Sequence, residues 1–335
     1  MTSTTALPVS DPVLAELLTG GLALVEVRLR DAVAQADVLA DAASRHLFNA
    51  GGKRLRPTLT LLVAQLGDGS RPEVIDAAVV MELTHLATLY HDDVMDSAPL
   101  RRGALSAHEV WGNSVAILTG DLLFARASAT VAELGPEAVR IQAGAFERLC
   151  LGQLHETVGP QDGEDAVEHY LRVLADKTGS LIATSARFGA LFAGCPADVV
   201  RTVTEYGERV GVAFQLADDV IDLSADGAET GKTPGTDLRE GVSTMPVLLL
   251  RARAARPDAR VRDRELVALL DSDLSDDADL AEAVRRLRGH DVVAETLALA
   301  MAWAHEAVAE LEPLPEGSVK DALLSFASAL VDRAS

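Results

Sequence analysis

Apolar residues return every three or four positions along almost the whole chain, as in VVMELTHLATLYHD (79–92) and LALAMAWAHEAVAEL (297–311). That is the period of an α-helix with one or more buried faces. No run alternates apolar and polar residues between hairpin turns, so the pattern holds no strand signal. The breaks are short and chemically marked: GDGSRP (67–72), SAPLRRG (97–103), ELGPEA (133–138), VGPQDGED (158–165), AGCPAD (193–198) and the longer SADGAETGKTPGTDLREG (224–241). Several put Pro or Asp at the start of the next periodic run, where a helix begins. The expectation is an all-α chain of packed helices.

At 335 residues the length alone suggests about two domains. No low-complexity linker or internal repeat divides the sequence, which reads instead as one domain over 11–335 behind a disordered first ten residues. The acidic stretch 271–284 reads as a solvated loop and helix start. A hydrophobic share of 48% excludes global disorder. A net charge of −21 argues against a nucleic-acid partner. The two cysteines, Cys150 and Cys195, cannot build a disulfide framework and fit a reduced, cytoplasmic setting. The N-terminal MTSTTALPVSDPVL has no basic start and apolar run of a signal peptide. The most apolar candidate for a membrane span, 181–194, is short and interrupted by Arg187, so no stable membrane insertion is expected.

The sharpest local signal is Asp92-Asp93-Val94-Met95-Asp96, which ends the apolar run MELTHLATLYH. On a helix Asp92 and Asp96 lie one turn apart on one face. Like charges at that spacing destabilise a bare helix and favour either partial protonation or a bound cation. The pattern recurs as Asp218-Asp219-Val220-Ile221-Asp222, again after an apolar run. One such cluster reads equally as a solvated helix end. Two of them, if their helices face each other, make a mouth of hard oxygen ligands suited to Mg²⁺ and, through the metal, to a diphosphate.

Cations in this acidic chain are gathered at a few points. GGKRLRP (51–57) carries Lys53, Arg54 and Arg56 behind two glycines. Arg101-Arg102-Gly103 follows the first aspartate cluster. Lys177-Thr178 lies in ADKTGSL and Lys232 in ETGKTPGTD. Arg forks and Lys point charges are the usual diphosphate ligands. Singly, each also reads as a solvated turn. GKTPG lacks the spacing of a P-loop, which sets aside an ordinary P-loop nucleotidase.

Taken together, GGKRLRP, ELTHLATLYHDDVMDSAPLRRG, NSVAILTGDLLFARA, DKTGSLIATSARFGA and FQLADDVIDL…GKTPGTDLREG make residues 45–255 resemble the trans-isoprenyl diphosphate synthases, the polyprenyl synthetase family. The resemblance implies an isoprenoid-synthase-like helical bundle around a deep apolar cavity, a homodimer, and head-to-tail condensation of isopentenyl diphosphate with an allylic diphosphate. Carried over by position, Lys53, Arg56, His85 and Arg102 match the isopentenyl diphosphate ligands. Arg101, Lys177, Thr178, Gln215 and Lys232 match the allylic side. Asp92, Asp96 and Asp218 match direct Mg²⁺ ligands, about three ions per site, with Asp93, Asp219 and Asp222 supporting them directly or through water. Lys177 and Lys232 count with the six aspartates as catalytic. Taken alone, His85 and Gln215 read as hydrogen-bonded core residues, Asp121 as a cap of the following helix, and His91 as an outer partner of the first cluster.

The chemistry so implied needs a diphosphate leaving group stabilised by metal and cations, and an allylic cation kept from water. The departing diphosphate can take the proton. The product grows away from the aspartates, so Thr88, Ala87 and Thr84, one and two turns before Asp92, should meet its tail. None is aromatic, which predicts a long product of about C35 to C50, such as a menaquinone side chain. A floor from Phe124, Phe146 or Phe188 would instead give geranylgeranyl diphosphate. A terpene cyclase and a non-catalytic subunit of a heteromeric synthase are the other readings. The second aspartate cluster and GGKRLRP weigh against the first, and the intact motifs weigh against the second.

Overall fold

The structure is a computed structural model that describes residues 9–224 and 234–332. Residues 1–8, within the segment expected to be disordered, and residues 225–233, which include Lys232, lie outside the described residues.

The chain is helical nearly throughout. Its first half holds α1 (Pro12–Val33), α2 (Val38–Asn49), α3 (Leu55–Ala64), α4 (Pro72–Met95), a short helix α5 (Ala107–Trp111) and α6 (Asn113–Glu133). Next come α7 (Pro136–Val158), α8 (Ala166–Leu174), one wide turn of π-helix (Ala175–Gly179), α9 (Ser180–Phe192) and α10 (Ala197–Ser224). The remainder holds α11 (Thr236–Arg239), α12 (Met245–Ala254), α13 (Val261–Leu270), α14 (Asp277–Arg288), α15 (Asp291–Glu310) and α16 (Ser318–Val331). Helix ends fall where the sequence punctuates. Pro72 and Pro136 open α4 and α7, and Asp11, Asp165 and Asp276 accept backbone N–H groups at the starts of α1, α8 and α14. In the acidic stretch, α14 begins at Asp277, as expected.

One feature departs from the helical expectation. Leu100–Arg101 and Ala104–Leu105 pair as a two-residue antiparallel hairpin, β1–β2, turned at Arg102 and Gly103. Strands this short carry no alternation for a sequence reading to detect.

The described chain divides into two compact units. The first comprises residues 9–148, 180–208 and 310–326, and the second comprises 149–179, 209–224, 234–309 and 327–332. In the first, α4 is the central helix and packs on α1, α3, α6 and α9. Leu62, Met81, Leu83, Leu86 and Leu123 are fully buried there. Tyr90 fastens α4 to α2: its hydroxyl donates to the Ala43 carbonyl at 2.5 Å and accepts from the Leu47 N–H at 3.2 Å. The second unit has its own core around Leu174, Val212, Leu216, Met245 and Ala300, with a further cluster of Leu250, Leu266, Leu280 and Leu287. By length and composition α6 and α15 are apolar enough to cross a membrane, which α9, carrying Arg187, is not. Long apolar helices of soluble bundles pass the same test.

Candidate active site

In the first unit, the GGKRLRP turn brings the cations to the side of α4. Gly51 and Gly52 have φ of 84° and 150°, conformations that L side chains avoid. A Cβ on Gly52 would lie 2.8 Å from the guanidinium carbon of Arg102, so a glycine is what lets that side chain in. Arg102 then donates to the backbone carbonyls of Gly51 and Leu47. Arg54, also at positive φ, donates to two carboxylates: Nε to Glu26 Oε1 at 2.5 Å and Nη1 to Glu82 Oε1 at 2.9 Å. Arg56 differs from both. Its Nε is buried and has no hydrogen-bond partner, an unusual state for a guanidinium.

Burial shapes the charges of this cluster. It lowers Arg56 to about 10, with Glu82 opposing the shift and Arg102 adding to it. Burial also lowers Arg102. His85 is held well below its ordinary value, first by burial and then by the charges of Arg56, Arg102, Arg101 and Arg54. The imidazole is therefore neutral at physiological pH and offers one N–H and one lone pair. The result is a cluster of cations with a guanidinium donor, Arg56 Nε, left over, which suits a diphosphate anion.

His85 stands seven residues before Asp92 on the same helix, about 10 Å along its axis. Asp92 is partly buried and Asp96 exposed, at the last turn of α4. Asp93 is fully buried and turns inward, where Oδ1 accepts from Arg101 Nε at 2.6 Å. His91 sits against α6, with Nε2 3.2 Å from Asp121 and 3.1 Å from the Ile117 carbonyl oxygen. Asp121 does not cap a helix, because α6 begins eight residues earlier at Asn113. The Thr-Gly-Asp step resembles a start signal, but α6 runs straight through it.

In the second unit, α10 carries Asp218 and Asp222, both partly buried. The middle aspartate again turns inward: Asp219 Oδ2 accepts from the Tyr170 hydroxyl at 3.0 Å and the Met245 N–H at 3.2 Å. The π-turn after α8 presents Lys177 and Thr178. Lys177 Nζ pairs with Glu156 on α7 at 2.5 Å, and the Thr178 hydroxyl donates to Gln215 Oε1 on α10 at 3.2 Å. Glycines allow this closeness. A Cβ on Gly152 would lie 2.8 Å from the Lys177 backbone nitrogen, and one on Gly211 would lie 2.6 Å from Gly179 Cα.

Among the described residues, no three His, Cys, Asp or Glu side chains gather into a closed metal cage. Each acidic cluster instead places its first and last carboxylates one helical turn apart, outside the buried middle aspartate. Paired carboxylates of this kind fit Mg²⁺, which keeps water ligands and takes phosphate oxygens from a substrate.

Residues 37–287 match the sequence model of the polyprenyl synthetases. The chain belongs to the polyprenyl synthetase family. A nonaprenyl diphosphate synthase of Mycobacterium tuberculosis (strain ATCC 25618 / H37Rv) is 46% identical to it over 325 residues, spanning 96% of this chain and 95% of that one. The solved polyprenyl synthase from Caulobacter crescentus CB15, complexed with calcium and isoprenyl diphosphate, superposes with a TM-score of 0.88 at 33% identity, covering 96% of this chain and 97% of that one. A geranylgeranyl pyrophosphate synthase from Corynebacterium glutamicum, also complexed with calcium and isoprenyl diphosphate, gives 0.84 at 40% identity over 97% and 99% of the two chains. This polyprenyl synthetase is thus a prenyltransferase with the all-α isoprenoid-synthase fold.

Within this synthetase, the structure gathers Arg56, His85 and Arg102 into one cluster, and Lys177, Thr178 and Gln215 around one turn. Lys53 is exposed on the glycine turn, and Lys232 lies outside the described residues. Two participants escaped the sequence reading, Glu82 and Glu156, while Arg54, read there as one of three cations on the glycine turn, is taken up by Glu82 and Glu26. Glu82 carried a usable signal, since an acidic residue three positions before His85 in an apolar helix needs a buried cation. Glu156 had none that spacing reveals.

Proposed function

We propose that this prenyltransferase joins isopentenyl diphosphate head to tail to an allylic diphosphate, and repeats the step to give a long all-trans polyprenyl diphosphate of about C35 to C50. The observation that carries the reading is on α4. His85, which faces the charges of Arg56 and Arg102, stands about 10 Å along the helix axis from an acidic pair suited to metal, and Arg56 keeps a buried Nε without a partner. That arrangement serves two anions differently, one bound directly by cations and one bound through metal.

In this reading Arg56, Arg102 and Lys53 hold the diphosphate of isopentenyl diphosphate, and neutral His85 donates an N–H to it. Arg101, Lys177, Thr178, Gln215 and Lys232 serve the allylic diphosphate, with Lys177 oriented by Glu156. Mg²⁺, about three ions per site held by Asp92, Asp96 and Asp218 with Asp222 in support, would neutralise the charge growing on the leaving diphosphate. Asp93 and Asp219 act from behind, through Arg101 and Tyr170. Holding both substrates in register supplies most of the effective concentration. The proton lost from the isopentenyl unit goes to the departing diphosphate, so no protein base is assigned.

The long product is supported by α4. Thr84, Ala87 and Thr88 are all buried, and none carries a ring. A quinone side chain such as that of menaquinone is the inferred use, in the cytoplasm. A homodimer is inferred from α6, which leaves Ile117 and Leu118 exposed at 42% and 65%. The shorter, C20 reading has one observation in its favour: Phe124 and Phe146 stack at 4.0 Å and can form a floor.

The test is incubation of the pure single chain with Mg²⁺, isopentenyl diphosphate and allylic primers of several lengths, with the products sized. Products of about C35 to C50 are expected. A dominant C20 product defeats the long-chain reading. Turnover of an allylic diphosphate alone indicates a cyclase, and no product at all a partner subunit. Asp92→Ala and Asp218→Ala should each remove most turnover while the helical fold persists; near-normal turnover in both overturns the metal assignment.

A further inference from the structure

We infer that Arg54 is a positioning residue that sequesters Glu82, and so keeps a resident carboxylate off Arg56 and Arg102, the cations that take the substrate diphosphate. The inference rests on the reading of that cluster as the isopentenyl diphosphate site.

Glu82 is 2% exposed and is the carboxylate that acts most strongly on Arg56 and Arg102. An anion so placed is a resident competitor for any diphosphate. Left to itself it would swing to Arg56, whose Nε has no other partner. Arg54 prevents this by holding Glu82 Oε1 at 2.9 Å through Nη1. Arg54 is itself pinned on three sides: its Nε donates to Glu26 at 2.5 Å, its guanidinium lies 5.4 Å from the centre of the Phe48 ring, and its positive φ is set by the glycine turn. With Arg54 only 7% exposed, the pair sits in low dielectric, where a carboxylate held by one fixed partner does not trade it cheaply for another. Glu82 thereby keeps the cationic cluster from carrying uncompensated charge without occupying it.

This makes a sign-changing pair. Arg54→Met alone releases Glu82 onto Arg56, while Arg54→Met with Glu82→Met removes competitor and keeper together. Binding of isopentenyl diphosphate to the full chain, measured by calorimetry, together with KM for each substrate, reads the difference. Arg54→Met should weaken isopentenyl diphosphate at least about tenfold and leave KM for the allylic primer within about threefold. The double variant should recover to within about threefold of the parent. If Arg54→Met does not fold, Arg54→Gln paired with Glu82→Gln gives the same comparison with smaller volume change. A double variant as weak as the single one, or equal losses for both substrates, overturns the inference and leaves Arg54 a structural ion pair. Arg56→Gln serves as the control. Unchanged isopentenyl diphosphate binding in that variant shows that the site assignment has failed, and the inference falls with it.

Discussion

Arg101 donates its Nε–H to Oδ1 of Asp93 at 2.6 Å, tying the hairpin after α4 back to the aspartate cluster that ends α4. Asp93 is wholly buried, and its second oxygen has no partner. This ion pair holds Arg101 at the hairpin, while the next residue, Arg102, is held by the Gly51 and Leu47 carbonyls.

Replacing Asp93 with Ala should break that tie and strand a partly buried guanidinium. We expect a stability loss of about 2 kcal/mol, below the value for a fully buried pair because Arg101 keeps 24% exposure. Urea unfolding measures it. Asp93→Asn retains an acceptor for Arg101 and should lose less. An unchanged midpoint for Asp93→Ala would show that the hairpin is held by something else.

The pH dependence of isopentenyl diphosphate binding follows from His85 and Arg56. His85 titrates well below 6.5 in the fold, so its charge does not change between pH 6 and 8, and KM should show no imidazole inflection there. Burial lowers Arg56 to about 10, so affinity should fall as pH passes that value, well before a free arginine would lose its proton. Stability carries the matching sign for His85. Because its folded value is depressed, the unfolded chain binds more protons, and stability falls as pH drops below 6.5. His85→Asn should remove that part of the acid slope. KM profiles and unfolding at pH 5 to 10 test both.

Gly52→Ala puts a methyl group into the space of the Arg102 guanidinium, at 2.8 Å from its carbon, on backbone that strains any L side chain. We expect KM for isopentenyl diphosphate to rise by about tenfold or more through displaced Arg102, with KM for the allylic primer little changed. Steady-state kinetics with each substrate varied in turn distinguishes this from a general loss of folded enzyme.

Ala87→Phe places a ring on α4 one turn before the aspartates, where the growing tail should pass. The dominant product should fall to about C20 or shorter, one turn of helix being about 5.4 Å. Ala87 is 1% exposed, so overpacking should also cost about 1–3 kcal/mol. Chain-length analysis of extracted products decides the point; an unaltered distribution would place the tail elsewhere.

Much of the site was legible along the chain because its parts are local. A five-residue acidic cluster at the end of an apolar helix puts its first and last carboxylates on one face, whatever the helix packs against. The two glycines of GGKRLRP likewise announce a turn that other residues cannot make. The role of the middle aspartates was less legible. Helical geometry sets Asp93 about 100° from Asp92, but α4 is buried on nearly every side. Its apolar pattern therefore does not say which flank meets Arg101.

By itself, then, the sequence determined a helical chain, most of its helix ends, both acidic pairs and the cationic turn, since each depends on residues within a few positions of one another. Only the tertiary structure decided the partnerships of residues far apart in the chain: Arg54 with Glu82, Lys177 with Glu156, Asp219 with Tyr170 and Met245. Those pairings rest on which helix faces meet and how much water the contact excludes. A buried charge takes whichever partner the packing leaves within reach, and no spacing along the chain encodes that choice.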